Sequence, residues 1–210
     1  MEKLLFSGAS GFLGHNVMPI LSRQYAITTI GITESDDINA NIASEIPALP
    51  ERYDVVLHAA GKAHVYPKNQ EEVQAFYDVN FQGTVNLCRA LEKVGLPKSF
   101  IFISTLDVYG LAVGEGIDET CPMNPVTHYA KSKLQAEKFL EEWAKENGVT
   151  LGVLRPSLMT GPNPPGNLKA MINGIRRGYY VNIAGGRTRK SLMMIQDITP
   201  VRDKIAISCM

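Results

Sequence analysis

The sequence contains little cysteine, no surplus of charge of either sign and no long apolar segment. Its three cysteines (Cys88, Cys121 and Cys209) form no C-x-x-C pair, which argues against a metal site or a disulfide framework and favours a reducing compartment, the cytoplasm. The 21 basic side chains are balanced by 21 acidic ones, so nothing indicates a nucleic-acid or membrane partner. No apolar run approaches the roughly 20 residues that cross a bilayer, and the first residues lack the apolar region of a signal peptide. We therefore expect a globular cytoplasmic protein.

Five short apolar runs alternate with longer segments of helical spacing. A chain of 210 residues normally forms one compact unit. The runs are almost continuous in Val, Ile, Leu and Phe, which is typical of parallel strands that helices cover on both faces. They span residues 3–6, 26–32, 54–60, 99–105 and 150–156. The pattern predicts an α/β fold with an open, doubly wound parallel sheet.

Three segments are predicted to be helices. The first spans 12–24, although Pro19 in its interior should kink it or free a backbone carbonyl. The second spans 70–94 and carries one stripe of inward-facing residues. The third begins after Thr127, a plausible N-cap, and ends before Gly148.

The composition changes after Pro156. The stretch "SLMTGPNPPGNL" that follows is rich in Pro, Gly and Asn, which is typical of a loop. We therefore place a boundary near residue 156, between a sheet domain over 1–156 and a different unit over 157–210.

Three glycines follow the first predicted strand at G-x-x-G-x-x-G spacing, in "FSGASGFLG" at 6–14. A lone glycine pattern is weak evidence, because a tight corner can need glycine for backbone reasons alone. Here a helix follows, and the N–H groups and dipole at its N-terminus favour an anion such as pyrophosphate. On this interpretation Gly8 permits the turn, Gly11 lets the phosphate approach and Gly14 lets the helix pack on the strand. The turn predicts a dinucleotide site.

The acid that usually follows the second strand of such a site is not clearly present. Glu34, Asp36 and Asp37 come slightly late, and a solvated loop is a simpler interpretation than a set of ribose ligands. Arg23 could meet a 2′-phosphate, although a surface charge at a helix C-terminus is the simpler interpretation there too. NAD is favoured as cofactor, and NADP stays open.

Tyr129 and Lys133 stand four residues apart on the third predicted helix, so their side chains share one face. A neighbouring cation favours the phenolate and so lowers the pKa of a tyrosine from about 10. Such a tyrosine can exchange a proton at neutral pH. An ordinary exposed pair would be the better interpretation if this spacing stood alone.

The order and spacing of further motifs resemble the extended short-chain dehydrogenase/reductase family. These are "HAAG" (58–61), "VN" (79–80), "STLDVYG" (104–110), "YAKSK" (129–133) and "LRPSLMTGP" (154–162). The resemblance runs to about residue 198 and is closest to the NAD-dependent epimerase/dehydratase group, which acts on nucleotide sugars. It implies a Rossmann-type dinucleotide-binding domain over 1–156 and the start of a substrate-binding lobe over 157–210.

The resemblance also implies roles for individual residues. Tyr129 would be the general acid/base, and Lys133 would hold the nicotinamide ribose and lower the pKa of that tyrosine. Thr105 would hydrogen-bond the reacting sugar oxygen, with Ser104 as the alternative. The implied cofactor-binding residues are Gly8, Ser10, Gly11, Phe12, Leu13, Gly14, His58, Ala59, Ala60, Gly61, Asn80, Tyr129, Lys133 and Pro156. The implied substrate-binding residues are Thr105, Asn167, Leu168 and Lys190. Arg187 or Arg189 could take the place of Lys190.

Some of these residues have a second interpretation. From the sequence alone His58 is a satisfied core histidine and Asn80 a polar residue inside a helix. A solvated loop face accounts almost as well for the cations near residue 190.

The implied activity is that of an NAD(P)-dependent nucleotide-sugar epimerase, with a 4-keto-6-deoxy nucleotide-sugar reductase as the alternative. Dehydratases of the family carry an Asp and a Glu where this chain has Leu106 and Asp107, which argues against dehydration. Relatives usually continue further, so the chain is expected to be truncated, and a catalytically impaired dinucleotide-binding protein is a third hypothesis. Family members often dimerise through the helices predicted at 70–94 and 127–147, so a homodimer is expected.

Overall fold

Six parallel strands form the central sheet of the protein. The structure, a computed structural model, describes residues 1–63, 66–179 and 189–199, without the side chain of Asn167. The strand order is β3-β2-β1-β4-β5-β6, and every neighbouring pair is parallel. The strands are β1 (Glu2–Ser7), β2 (Tyr25–Gly31), β3 (Ile38–Asn39), β4 (Val55–His58), β5 (Ser99–Ile103) and β6 (Thr150–Leu154). The predicted α/β fold with a doubly wound parallel sheet is confirmed.

Helices cover both faces of this sheet, because successive strand residues point to opposite sides. Leu5 and Val56 belong to the core on one face, together with side chains of α3 and α4. Leu4 and Phe6 belong to the core on the other face, with side chains of α1. The helices are α1 (Phe12–Leu21), α2 (Gln70–Tyr77), α3 (Gly83–Val94) and α4 (His128–Asn147). The continuous apolar runs of the sequence therefore serve two cores.

The ends of α4 are those that the sequence predicts. The Thr127 hydroxyl accepts a hydrogen bond from the backbone N–H of Ala130 at 3.1 Å. Gly148 follows the helix in the left-handed region, with φ of 65°. In contrast, α1 ends at Leu21, earlier than predicted, and it contains Pro19.

The second predicted helix is divided by a π-helical turn. Asp78–Gln82 forms this turn, between α2 and α3. The Thr84 hydroxyl donates to the carbonyl of Asn80 at 2.8 Å, and such a side-chain bond competes with the regular helix ladder. The predicted inward stripe is nevertheless present, because Phe76, Leu87 and Leu91 are all buried.

A smaller unit follows the sheet. It contains β7 (Leu158–Thr160), α5 (Gly166–Arg176) and β8 (Leu192–Met194), and the two strands pair in parallel. The loop predicted after Pro156 is therefore interrupted by a strand and ends where α5 begins. Short 3₁₀ turns at Leu106–Tyr109 and Ile195–Ile198 complete the secondary structure of the described residues. None of the helices in the described ranges is both long and apolar enough to cross a membrane.

Candidate active site

The strand order reverses direction at β1, since β2 and β4 lie on its two sides. In doubly wound sheets a crevice opens at this point, beyond the carboxyl ends of the strands. The glycine turn follows β1, and residues 59–61 follow β4, so both stretches border this crevice. The sheet topology therefore brings two of the predicted cofactor-binding segments together.

The glycine turn is packed so closely that its backbone tolerates no side chain at two positions. Gly8 has φ of 80°, and a Cβ there would lie 2.6 Å from the backbone nitrogen of Ala60. A Cβ on Gly14 would overlap the carbonyl of Ala9, so this glycine lets the helix approach the turn rather than the strand. Gly11 is exposed and is the N-cap of α1, with no side-chain cap on the helix.

The remaining turn residues differ in exposure. Ser10 is exposed, Phe12 is half-buried and Leu13 is buried in the core beneath the turn. The first N–H groups of a helix have no partner within it. Because Gly11 has no side chain to cap the helix, the first N–H groups of α1 are available to an anion at this exposed end of the helix.

Tyr129 lies in the first turn of α4, half-buried against the ring of Phe76. The hydroxyl of Thr105 lies near the Tyr129 phenol and acts to lower the pKa of that phenol. Thr105 also caps the following 3₁₀ turn, because its hydroxyl accepts from the N–H of Asp107 at 3.2 Å. Two of the predicted catalytic side chains are therefore neighbours.

The predicted lowering of the Tyr129 pKa by Lys133 is not found. Burial raises the pKa of Tyr129 above 10.0, the nearby Thr105 hydroxyl opposes this, and the Asp107 charge adds to it. The Lys133 amine is instead directed at the sheet, because Nζ donates to the Ile103 carbonyl at 2.9 Å and lies 4.6 Å from the centre of the Phe102 ring.

Within the described part of the chain, Lys133 is one of the most buried cations, with 3% of its surface exposed. Burial lowers its pKa from 10.5 to about 8, and the charge of Glu137 acts in the opposite direction. A Cβ on Gly61 would lie 3.1 Å from both the Lys133 nitrogen and the Asn80 side-chain oxygen. The amine therefore stands beside the stretch that follows β4, at the same edge as the glycine turn.

Ser104 does not share the surroundings of Thr105. Its side chain is buried, and its hydroxyl donates to the carboxylate of Glu137. Glu137 also receives the guanidinium of Arg155, with Nη2 2.7 Å from Oε2. The geometry favours Thr105 over Ser104 as the hydroxyl next to the phenol.

His58 and Asn80 belong to a buried polar network. The His58 ring bonds the Ser7 hydroxyl through Nδ1 and the Thr84 hydroxyl through Nε2. Burial, with the charge of Lys133, lowers the pKa of His58 to about 3. The Asn80 amide accepts from the N–H of Lys62 at 2.8 Å and donates to its carbonyl at 3.1 Å. These side chains hold the stretch containing Ala59 to Gly61 in place, and its backbone borders the crevice.

A carboxylate also stands at the carboxyl end of β2. Asp36 accepts hydrogen bonds from the Thr33 N–H at 3.0 Å and from its hydroxyl at 2.6 Å. A Cβ on Gly31 would overlap this carboxylate, so it folds back onto the last residue of the strand. The nearby Asp37 turns to Thr29 instead. Asp36 is thus fixed at the strand end, and it is less solvated than the sequence suggests.

The predicted substrate-binding residues beyond Thr105 are not shown to form one site. Leu168 is half-buried in α5, and Lys190 is exposed before β8. The side chain of Asn167 and the whole of Arg187 lie outside the described residues. Pro156 is half-buried, and its carbonyl accepts from the N–H of Leu106 at 3.3 Å.

Sequence reasoning overlooked Glu137 and Arg155, which stand behind the predicted catalytic side chains. Glu137 lies on the face of α4 that also carries Tyr129 and Lys133, at successive spacings of four. A charged residue on an inward helix face is a detectable signal, because burying a carboxylate without a partner is costly. Arg155 lies near the end of the last predicted strand, where the sequence pattern gives no indication that a carboxylate is its partner.

A family model described as "NAD dependent epimerase/dehydratase family" matches residues 4–208. The chain is 31% identical to the N-acetyl-alpha-D-glucosaminyl-diphospho-ditrans,octacis-undecaprenol 4-epimerase of Escherichia coli O157:H7, over 94% of this chain and 61% of that protein. It is 29% identical to the UDP-glucose 4-epimerase of Vibrio cholerae, over 94% of this chain and 64% of that protein. The chain therefore spans less than two thirds of the length of these relatives.

A solved structure of RMD from Pseudomonas aeruginosa complexed with NADPH has the same fold. It is 26% identical and superimposes with a TM-score of 0.77, over 99% of this chain and 73% of that chain. The smaller unit that follows the sheet falls within this match.

Proposed function

This chain belongs to the NAD-dependent epimerase/dehydratase family, and we propose that it acts as an NAD(P)-dependent 4-epimerase of a nucleotide sugar. The grouping of Tyr129 and Thr105 at the carboxyl edge of the sheet, with the buried amine of Lys133 on the same helix, carries this proposal. The names of the two relatives described above support 4-epimerisation of a sugar carried on a diphosphate.

The geometry of the crevice supports a dinucleotide as its ligand. The backbone of the turn at Gly8 is pressed against Ala60, which leaves Gly11 and the N-terminus of α1 facing outward without a side-chain cap. Exposed N–H groups at a helix N-terminus bind phosphate, so this end of α1 would hold the pyrophosphate. Lys133, beside Gly61, would hold the nicotinamide ribose. When bound, the nicotinamide supplies a reversible hydride acceptor.

Asp36 supports NAD as the cofactor. Its carboxylate is fixed at the end of β2, where doubly wound folds hold the adenosine ribose. A carboxylate there accepts hydrogen bonds from ribose hydroxyls and repels a 2′-phosphate. NADP is the alternative that a binding experiment must exclude.

The proton chemistry falls to Tyr129 and Thr105. Tyr129 Oη would take the proton of the sugar hydroxyl that is oxidised and return it when the sugar is reduced from its other face. Thr105 would donate a hydrogen bond to the same sugar oxygen and hold it next to the phenol. Burial keeps the phenol neutral in the structure, and Lys133 does not lower its pKa there. A positive charge must therefore approach the phenol once cofactor and sugar are bound, and Lys133, on the same helix face, would supply it.

The decisive experiment incubates the purified chain with NAD and either UDP-glucose or UDP-N-acetylglucosamine, and follows the 4-epimer by NMR. We expect the 4-epimer to form without net consumption of cofactor. A Tyr129→Phe chain is the control, because it keeps the ring packing and removes the phenol.

The other hypotheses give different results in the same experiment. A 4-keto-6-deoxy sugar reductase would leave these sugars unchanged and would oxidise NADH or NADPH when given a 4-keto sugar. A catalytically impaired dinucleotide-binding protein would bind the cofactor and turn over neither substrate. The homodimer stays a prediction that light scattering can test.

A further inference from the structure

A buried carboxylate lies one helical turn beyond Lys133 and has no part in the proton chemistry described above. Glu137 has no exposed surface, and it accepts hydrogen bonds from Ser104 and Arg155. We propose, resting on the proposed function, that Glu137 is a positioning residue that keeps the amine of Lys133 positively charged at neutral pH. Ser104 and Arg155 hold the Glu137 carboxylate in a position from which its negative charge acts on the Lys133 amine.

The carboxylate is held by elements that also carry the site. Arg155 reaches Oε2 with Nη2 at 2.7 Å and with Nε at 3.1 Å, while its Nη1 donates to the Tyr109 hydroxyl at 2.9 Å. The guanidinium stays charged, because these contacts raise its already high pKa. Ser104 immediately precedes Thr105, so one carboxylate joins α4 to the ends of β5 and β6.

Lys133 needs a negative neighbour because its uncharged partners offset only part of the loss of water. Burial alone favours the neutral amine. Among the described residues, Glu137 is the one whose charge raises the pKa of Lys133. From β5 the amine meets the uncharged Ile103 carbonyl and Phe102 ring, and from β4 it meets His58, whose own pKa of about 3 leaves it neutral.

Lys133 and Glu137, whose side chains the structure describes, form no ion pair within 4 Å, but they bond consecutive residues, Ile103 and Ser104, so the carboxylate acts on the amine across a short buried gap. Residues four apart on a helix lie on the same face, one turn above the other. Charges in a buried site are screened far less than charges in water. Arg155 offsets part of the Glu137 charge, which leaves one net positive charge in a cluster of two cations and one carboxylate.

The test measures the protonation of Lys133 itself and needs neither cofactor nor sugar. The protein is labelled with ¹³C-lysine, and the Cε resonance of Lys133 is assigned by its absence from a Lys133→Met chain. Its titration midpoint in the unaltered chain should lie near pH 8. In Glu137→Gln, which keeps the shape and removes the charge, we expect the midpoint to fall by at least one pH unit, a tenfold change in protonation.

The matched control is Glu141→Gln, which removes an exposed carboxylate one turn further along α4 and should leave the midpoint unchanged. An unchanged midpoint in Glu137→Gln would overturn the proposal. If that chain fails to fold, a double variant of Glu137→Gln and Arg155→Gln removes both buried charges together. Its midpoint should lie below that of Arg155→Gln alone, and equal midpoints in these two chains would also overturn the proposal. Absence of cofactor binding or turnover by the unaltered chain would count against the proposed function alone.

Discussion

At the scale of single residues, the phenol of Tyr129 is the group on which the proposed activity depends. Tyr129→Phe should lower the epimerisation rate by about 10²–10⁴-fold, the usual contribution of a positioned acid or base. The ring packing on Phe76 is kept, so the melting temperature should hardly change. Steady-state rates and a thermal melt check both statements. Equal activity in the two chains would mean that another group moves the proton.

His58 makes stability depend on pH in a way that the sequence does not reveal. Its pKa is about 3 in the folded protein against an ordinary 6.5, so the unfolded chain binds the extra proton between these values. The contribution of the neutral His58 ring to the free energy of unfolding is therefore complete above pH 6.5, and it is lost as the pH falls from 6.5 towards 3. Between pH 7 and pH 5 the free energy of unfolding should fall by about 2 kcal/mol.

Denaturant unfolding at the two pH values measures this effect. His58→Gln should abolish most of the difference, whatever its own stability, because glutamine does not titrate. His15→Gln, which removes an exposed histidine, should retain it. A chain whose stability is the same at pH 7 and pH 5 would contradict the assignment of a neutral, buried His58.

At the scale of secondary structure, the N-terminus of α4 is both a cap and the support of Tyr129. The Thr127 hydroxyl satisfies the N–H of Ala130, and Tyr129 lies between them. Thr127→Ala should lower the free energy of unfolding by about 1 kcal/mol. Thr127→Ser, which keeps the hydroxyl, should change it much less. Urea titrations of the three chains test this, and an alanine variant as stable as the serine variant would refute the role of the cap.

Local signals explain which elements could be predicted from the sequence. The five long strands, the caps at Thr127 and Gly148 and the glycine turn each depend on residues close together in the chain. The division of the second helix could not be predicted, because it accompanies a bond between Asn80 and the backbone of Lys62, 18 residues away. Nor could β7 and β8, whose pairing joins two three-residue segments far apart in sequence.

The candidate site shows the same limit. Helical spacing places Tyr129 and Lys133 on one face, but it does not reveal that the amine turns to the Ile103 carbonyl. The pKa of the phenol depends on burial, and burial depends on the whole fold. The partners of Glu137 come from 33 residues before it and 18 residues after it, so only the assembled sheet shows why a carboxylate can be buried there.

At the scale of the whole molecule, the described chain contains all six strands of the sheet and both segments that border the crevice. It spans 61% of the Escherichia coli relative and 64% of the Vibrio cholerae relative. On the proposed function, cofactor binding and sugar turnover would therefore be separable. The first would depend on the edge of the sheet, and the second would also depend on how the smaller unit holds the sugar.

Cofactor binding should accordingly stabilise the chain whether or not it turns over a sugar. A ligand at 100 times its dissociation constant adds about 2.7 kcal/mol to the free energy of unfolding, which raises the melting temperature of a protein this size by roughly 5–10 °C. We expect this shift with NADH, and a smaller one with NADPH at the same concentration because Asp36 opposes a 2′-phosphate. Melting curves at increasing concentrations of each dinucleotide measure both.

Gly11→Asp provides a control that keeps the fold. Gly11 has φ of −81° and ψ of 179°, a conformation open to any residue, and aspartate is a favoured N-cap for α1. A Cβ there would lie 3.3 Å from the Gly8 carbonyl oxygen, so the turn must shift slightly to accept it, which offsets part of the gain from the cap. The new carboxylate would occupy the phosphate position and repel it, so this chain should melt close to the temperature of the unaltered chain yet show no shift with NADH. A full shift in Gly11→Asp would place the cofactor away from the glycine turn, because a pyrophosphate held by the N-terminus of α1 could not tolerate that charge.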